Sequence, residues 1–151
     1  MDLPALPQDV YAITDNPDLT AVIDVGGDDR GALALGRLSP ALREENNYDM
    51  RFVVNFYRPL TQTAEAALGV MREVEAASGL RFTGILNNSN LGAETTAADI
   101  RAALERARRL SECTGLPIVG TCAREDLAVA LSDIDNLIPV RLRFRTDWAI
   151  F

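Results

Sequence analysis

FTGILNNSNLGAETTAADIRAALERARRLSECTGLPIVGT, residues 82–121, holds two apolar runs with one helical pattern between them. The first run, Phe82–Asn87, ends in a polar cluster, and the second, Pro117–Thr121, follows a glycine and a proline. Between them, Ile100, Ala103, Leu104, Ala107 and Leu110 recur at the spacing of one helix face. Thr96 and Asp99 are placed to form a capping box at its start, and Gly115 with Pro117 supplies the stop. The polar face of this helix reads as a solvated charge ladder. Strand, helix and strand in this order form a unit whose two strands run parallel, joined by a right-handed crossover.

Outward from this unit the alternation continues. Apolar runs at Thr20–Val25 (TAVIDV), Arg51–Asn55 (RFVVN) and Pro139–Arg145 (PVRLRFR) read as further strands. Thr61–Ser78 is helical, with Ala64, Leu68, Met71 and Val74 on one side and Gly79 as its cap. A less regular helix is expected over Arg30–Arg43, weakened by Gly36 and Pro40, and a short one after Arg124. The expected fold class is therefore α/β: a single domain over residues 1–151 with a mostly parallel sheet of about five strands and crossover helices. The first four runs are apolar almost throughout, as in strands with both faces covered. In the last, Val140, Leu142 and Phe144 alternate with Arg141, Arg143 and Arg145, the pattern of an edge strand with one wet face.

Composition narrows the function. The chain has 151 residues, 48% of them hydrophobic and 25% charged, enough to bury a core. Its net charge of −7 argues against direct binding of nucleic acid. No apolar stretch is long enough to span a membrane and no signal peptide stands at the start, so a cytoplasmic location is expected. Cys113 and Cys122, without CxxC spacing, read as buried thiols. There is no histidine, which removes the commonest general base and metal ligand. All 15 positive side chains are arginine, so no Schiff-base or P-loop lysine is present.

Polar residues gather where the strands end, which in open α/β sheets is where ligands bind, near a point where the strand order reverses. The first run ends in Asp24, Gly26, Gly27, Asp28 and Asp29; the second in Asn55 and Arg58; the third in Asn87 and Asn88; the fourth in Thr121. Asp24 has two readings: a carboxylate holding Mg²⁺ beside a phosphate that the Gly26-Gly27 backbone approaches, or a turn cap with glycines for positive φ. Gly26 and Gly31 match the glycine spacing of a P-loop, but Ala32 and Leu33 follow where that motif requires lysine and a hydroxyl. Asn87 and Asn88 could read a base edge, since an amide offers donor and acceptor together; an Asx turn is the simpler reading.

The segments DLPALPQDVY, VIDVGGDDRGALALGR, NFYRPLTQT, EVEAASGLRFTGILNNSNLGAETT and GLPIVGT, taken together, resemble the carboxyl-terminal two-thirds of a ParA/MinD-like (CobQ/CobB/MinD-type) P-loop ATPase of bacteria. DVGGDD, YRPLT and NNSNLG are the most specific pieces. The resemblance implies an incomplete, deviant P-loop NTPase fold of the SIMIBI type, Rossmann-like in arrangement. In it Asp24 stands as the Walker B aspartate, catalytic and Mg²⁺-binding in the intact protein, with Gly26 and Gly27 as the phosphate-sensing switch. Asn55 and Arg58 fall at the neighbouring strand end. Asn87 or Asn88 matches the asparagine that recognises adenine, and the loop after Thr121 lies near the base. Mg-ATP is the cofactor implied for the intact protein, and none is expected on this chain alone.

The family's lysine-bearing Walker A loop, its helix and the strand after it are missing from this sequence. In the family the P-loop strand lies between the equivalents of Ala21–Val25 and Arg51–Asn55. One face of the sheet is then expected to lack its helices, so that a homodimer or a missing amino-terminal half covers it, unless the strands close together and the helices rearrange. Two function classes follow: half of an ATPase site, or a non-enzymatic interaction module that no longer binds nucleotide.

Overall fold

The computed structural model describes residue 16, residues 18–26 and residues 29–141, with the backbone alone at 29 and 30. Two short helices, α1 (Asp29–Leu35) and α2 (Ser39–Glu45), precede the sheet. The single irregular helix expected over Arg30–Arg43 is thus two. The break falls at Gly36, and Pro40 lies in the first turn of α2, where its missing N–H costs nothing.

Four parallel strands follow, in the spatial order of the chain: β1 (Arg51–Val54), β2 (Gly84–Asn87), β3 (Ile118–Arg124) and β4 (Leu137–Val140). Helix α3 (Ala64–Ser78) crosses from β1 to β2, and α4 (Ala97–Thr114) from β2 to β3. From β3 to β4 the chain makes two single-turn 3-10 helices, Glu125–Leu127 and Val129–Leu131, in place of the short helix expected after Arg124.

The caps form as the residue types require. Thr63 accepts from the Ala66 N–H at the start of α3, and Thr96 and Asp99 complete a reciprocal capping box at the start of α4. Gly79 and Gly115 close the two helices at φ 72° and 73°, a left-handed conformation open to glycine without Cβ strain.

The expected first strand, Thr20–Val25, is not part of this sheet. Its residues have no regular structure, and Val22 is 97% exposed. Free N–H and C=O groups form a ladder only beside another strand. Among the described residues no strand lies beside TAVIDV. The last strand begins at Leu137 rather than Pro139 and runs to Val140, while 142–145 lie outside the described residues.

One face of the sheet carries the core. Phe52, Val54 and Ile85 pack with Ala64, Ala67 and Met71 of α3 and with Ala103, Ala107 and Leu110 of α4. Phe52 meets Phe82 edge-on, with centroids 5.2 Å apart, a geometry that adds about 0.5–1.5 kcal/mol beyond area burial. A second cluster joins Ile100, Leu104, Ala123, Leu131 and Ile134 beneath β3 and β4. The five stripe residues of α4 expected from spacing are its buried residues.

The opposite face has no helix over it among the described residues. Along β1 burial alternates strictly, and Val53 is 57% exposed between buried Phe52 and Val54. Crossovers of one hand that run in one direction across a sheet set their helices on one side. The cysteines depart from expectation: Cys113, in the last turn of α4 beyond Leu110, is exposed, and Cys122 is half-buried on β3.

Candidate functional site

At the carboxyl end of β1 the chain turns sharply, and Asn55 organises the turn. Its Oδ1 accepts from the Tyr57 N–H at 2.9 Å and the Asn90 N–H at 3.4 Å, and its Nδ2 donates to the Asn90 carbonyl at 3.2 Å. Its carbonyl accepts from the Thr61 hydroxyl at 2.7 Å. Asn55 therefore staples the end of β1 to the loop that follows β2, and its amide is spent on backbone. Arg58, three residues on, is exposed.

The doubled asparagine at the end of β2 separates into two environments, because successive side chains of a strand point to opposite faces. Asn87 is fully buried on the helix-covered face. Its Oδ1 accepts from both the N–H (3.3 Å) and the hydroxyl (2.7 Å) of Ser89, whose own oxygen accepts from the Phe56 N–H at 2.9 Å. Asn88 is exposed. Its backbone N–H donates to Val54 O at 2.8 Å and its carbonyl accepts from Asn90 Nδ2 at 2.9 Å, so its side-chain amide is free among the described residues.

Thr121, paired in register with Asn87 on the adjacent strand, is also buried. Asn87 Nδ2 and Thr121 Oγ1 are both buried without a hydrogen-bond partner among the described residues. Buried polar groups in folded proteins are nearly always paired, so two orphans on facing residues mark this spot.

Asp24 and Gly26 do not join this group. Both are exposed in the irregular stretch ahead of α1, and Gly27 lies outside the described residues. Gly26 instead packs its backbone against Gly31, where a Cβ would collide with it. No cluster of acidic, cysteine or histidine side chains able to hold a metal ion occurs among the described residues. The strand order never reverses, so these four strands form no switch-point crevice.

A cleft of about 460 Å³ opens beside the turn, lined by Phe56, Tyr57, Gln62, Thr63, Leu91 and Arg106. Arg106 of α4 lies over the Tyr57 ring at 5.5 Å and donates to Phe56 O at 3.2 Å. The Tyr57 hydroxyl donates to Asp99 O at 2.9 Å. Burial, and then the nearby Asp99 charge, push the Tyr57 phenol above its ordinary pKa, with Arg106 opposing. By sequence Arg106 is one rung of a solvated ladder. Its position just before buried Ala107, at the rim of the apolar stripe, is the signal that it reaches inward.

No family model, curated protein or solved structure matches the chain. What stands without them is an α/β protein with a parallel sheet, and no helix among the described residues is long and apolar enough to cross a membrane.

The residues can be tested against Mg-ATP, the group the family resemblance implies. On the base side the donor set fits: an adenine edge needs one donor and one acceptor from the same amide, and Asn88 has both unspent at the carboxyl end of β2. On the phosphate side it does not fit. Asp24 is exposed, with no metal-holding cluster among the described residues, and there is no lysine for the phosphates.

Proposed function

We propose that this chain is the carboxyl-terminal portion of a ParA/MinD-like ATP-binding protein and supplies the adenine side of its nucleotide site. The observation that carries this reading is the split of Asn87 and Asn88. Asn87 has committed its acceptor to Ser89 and braces the turn, whereas Asn88 presents a free amide to solvent at the carboxyl end of a parallel strand. In this reading Asn88 contacts the base, Asn55 and Asn87 hold its loop, and Thr121 lies beneath. Asp24, Gly26, Gly27 and Arg58 belong to the phosphate side of the intact protein.

The phosphate side needs a lysine-bearing loop that these 151 residues do not contain. A second copy of this sequence cannot provide one, since it contains no lysine, so a homodimer would not complete the site and an amino-terminal half would. β1 is an edge strand among the described residues, and that edge is where such a half would add its strand. Catalysis belongs to that intact assembly, and this chain alone is inactive.

The test is titration of the isotope-labelled chain with adenosine, followed by side-chain amide resonances. Shifts at Asn88 with millimolar adenosine, no stronger with Mg-ATP, are the expected result. Unmoved Asn88 and Asn87 amides at saturating adenosine would reject the assignment. The second reading, an interaction module without nucleotide, is favoured by the sheet face that no helix covers among the described residues, and it is the reading left standing by that outcome.

A further inference from the structure

Helix α4 carries Arg101, Arg106, Arg108 and Arg109. Three of them are exposed and ion-paired: Arg101 with Asp133, Arg108 with Glu105, and Arg109 with Glu65. Arg106 differs on both counts. It is half-buried in the wall of the cleft beside Tyr57, and among the described residues it has no carboxylate partner. A guanidinium has five N–H donors, and the one hydrogen bond that Arg106 makes goes to Phe56 O. A cation drawn partly out of water without a counter-charge attracts an anion more strongly than an exposed one, because the local dielectric is lower. The Tyr57 ring and the Phe56 carbonyl already hold this guanidinium, so little side-chain freedom remains to be lost on binding.

We propose that this cleft binds a small monocarboxylate with an aromatic body, its carboxylate on Arg106 and Gln62 and its ring against Leu91 and Tyr57. Gln62 lines the same cleft, and its amide has no partner among the described residues. Leu91, also in the lining, is exposed and offers the apolar contact. The volume of about 460 Å³ lies within the range of small-molecule sites. A guanidinium fork matches a carboxylate through two parallel hydrogen bonds. A phosphate dianion calls for a second cation. Arg109, which shares an adjoining cleft of about 270 Å³ with Arg106, is already neutralised by Glu65, whose charge would repel the dianion. This inference does not depend on the nucleotide reading.

Phenylacetate, phenylacetamide and acetate separate the charge from the ring. Titrated into the isotope-labelled full chain and followed at the Arg106 Nε–H and the Leu91 methyls, phenylacetate at millimolar concentration should move both signals. It should bind roughly tenfold more tightly than either phenylacetamide or acetate. Arg106→Met should weaken phenylacetate roughly tenfold, and Gln62→Leu, at an exposed position, roughly threefold. Equal binding of phenylacetate and phenylacetamide to the unmodified chain overturns the proposal without any variant. So do Arg106 and Leu91 signals that stay still, or phenylacetate affinity that survives Arg106→Met. Binding of acetate or inorganic phosphate as tight as that of phenylacetate also overturns it, assigning a bare anion site in its place. None of the probes carries a base, so each of these outcomes leaves the Asn88 assignment to its own test.

Discussion

Asn87 and Thr121 face each other across β2 and β3, and Asn87 Nδ2 and Thr121 Oγ1 are both sealed from solvent without a partner among the described residues. The asymmetry between the two residues is energetic. Asn87 also holds Ser89 through two hydrogen bonds, whereas the Thr121 hydroxyl has no partner among the described residues. Thr121→Val should therefore leave the urea midpoint unchanged or raise it, because the lost hydroxyl carries only a desolvation cost. Asn87→Leu, which strands the Ser89 hydroxyl and the turn, should cost about 1–3 kcal/mol. A Thr121→Val loss as large as that of Asn87→Leu would mean that an internal water bridges the two residues.

The Tyr57 clasp gives a second test. Tyr57→Phe removes only the bond to Asp99 O and should cost about 1 kcal/mol. Arg106→Met keeps the aliphatic stem but loses the guanidinium from the ring and from Phe56 O, for about 1–2 kcal/mol. Residues in contact couple, so the double variant should cost less than the sum of the two in chemical denaturation.

Gly79 and Gly115 share a left-handed φ but not a neighbourhood. A Cβ at Gly115 meets open space, and Gly115→Ala should cost only the backbone strain, about 1 kcal/mol. At Gly79 the same atom lies 3.1 Å from Ser39 Oγ, so Gly79→Ala should lower the thermal midpoint further. Equal losses would show that α2 yields to the added methyl.

The acid limb of stability contains a group that can be followed alone. Hydrogen bonds from Arg101, at 2.8 and 2.7 Å, hold the Asp133 carboxyl at a pKa of about 2, below its ordinary 3.8. A depressed carboxylate stabilises the fold above its ordinary pKa, and that contribution is lost as pH falls through the folded value. Asp133 should thus contribute a decline between pH 3.8 and about 2. In Arg101→Gln the carboxyl resonance of Asp133 should titrate higher, back toward its ordinary 3.8, with the backbone hydrogen bond still holding it somewhat below, and this part of the decline should shrink. An unmoved titration would show that backbone, not Arg101, sets the shift.

Local signals alone were enough for much of this protein. The Thr96 and Asp99 capping box, the five-residue stripe of α4 and the glycine stops at Gly79 and Gly115 are decided by chemistry within a few residues, and each is found where it was read. The parallel order of β1, β2 and β3 follows from the lengths of the crossovers between them. TAVIDV reads as a strand for the same local reasons, yet it joins no ladder among the described residues, because a ladder needs a neighbour and periodicity does not supply one. The division of labour between Asn87 and Asn88 was likewise hidden in a doubled letter, since it depends on which face of β2 meets α4 and on Ser89 arriving to take the Asn87 acceptor. Arg106 looked like any other arginine on a wet helix face until packing brought it over Tyr57, from an element almost fifty residues away in the chain. Hydrogen bonds and apolar periods within a turn or two are written in the order of residues; which strands adjoin, and which polar atoms are left without partners, is set only when distant segments compete for the same space.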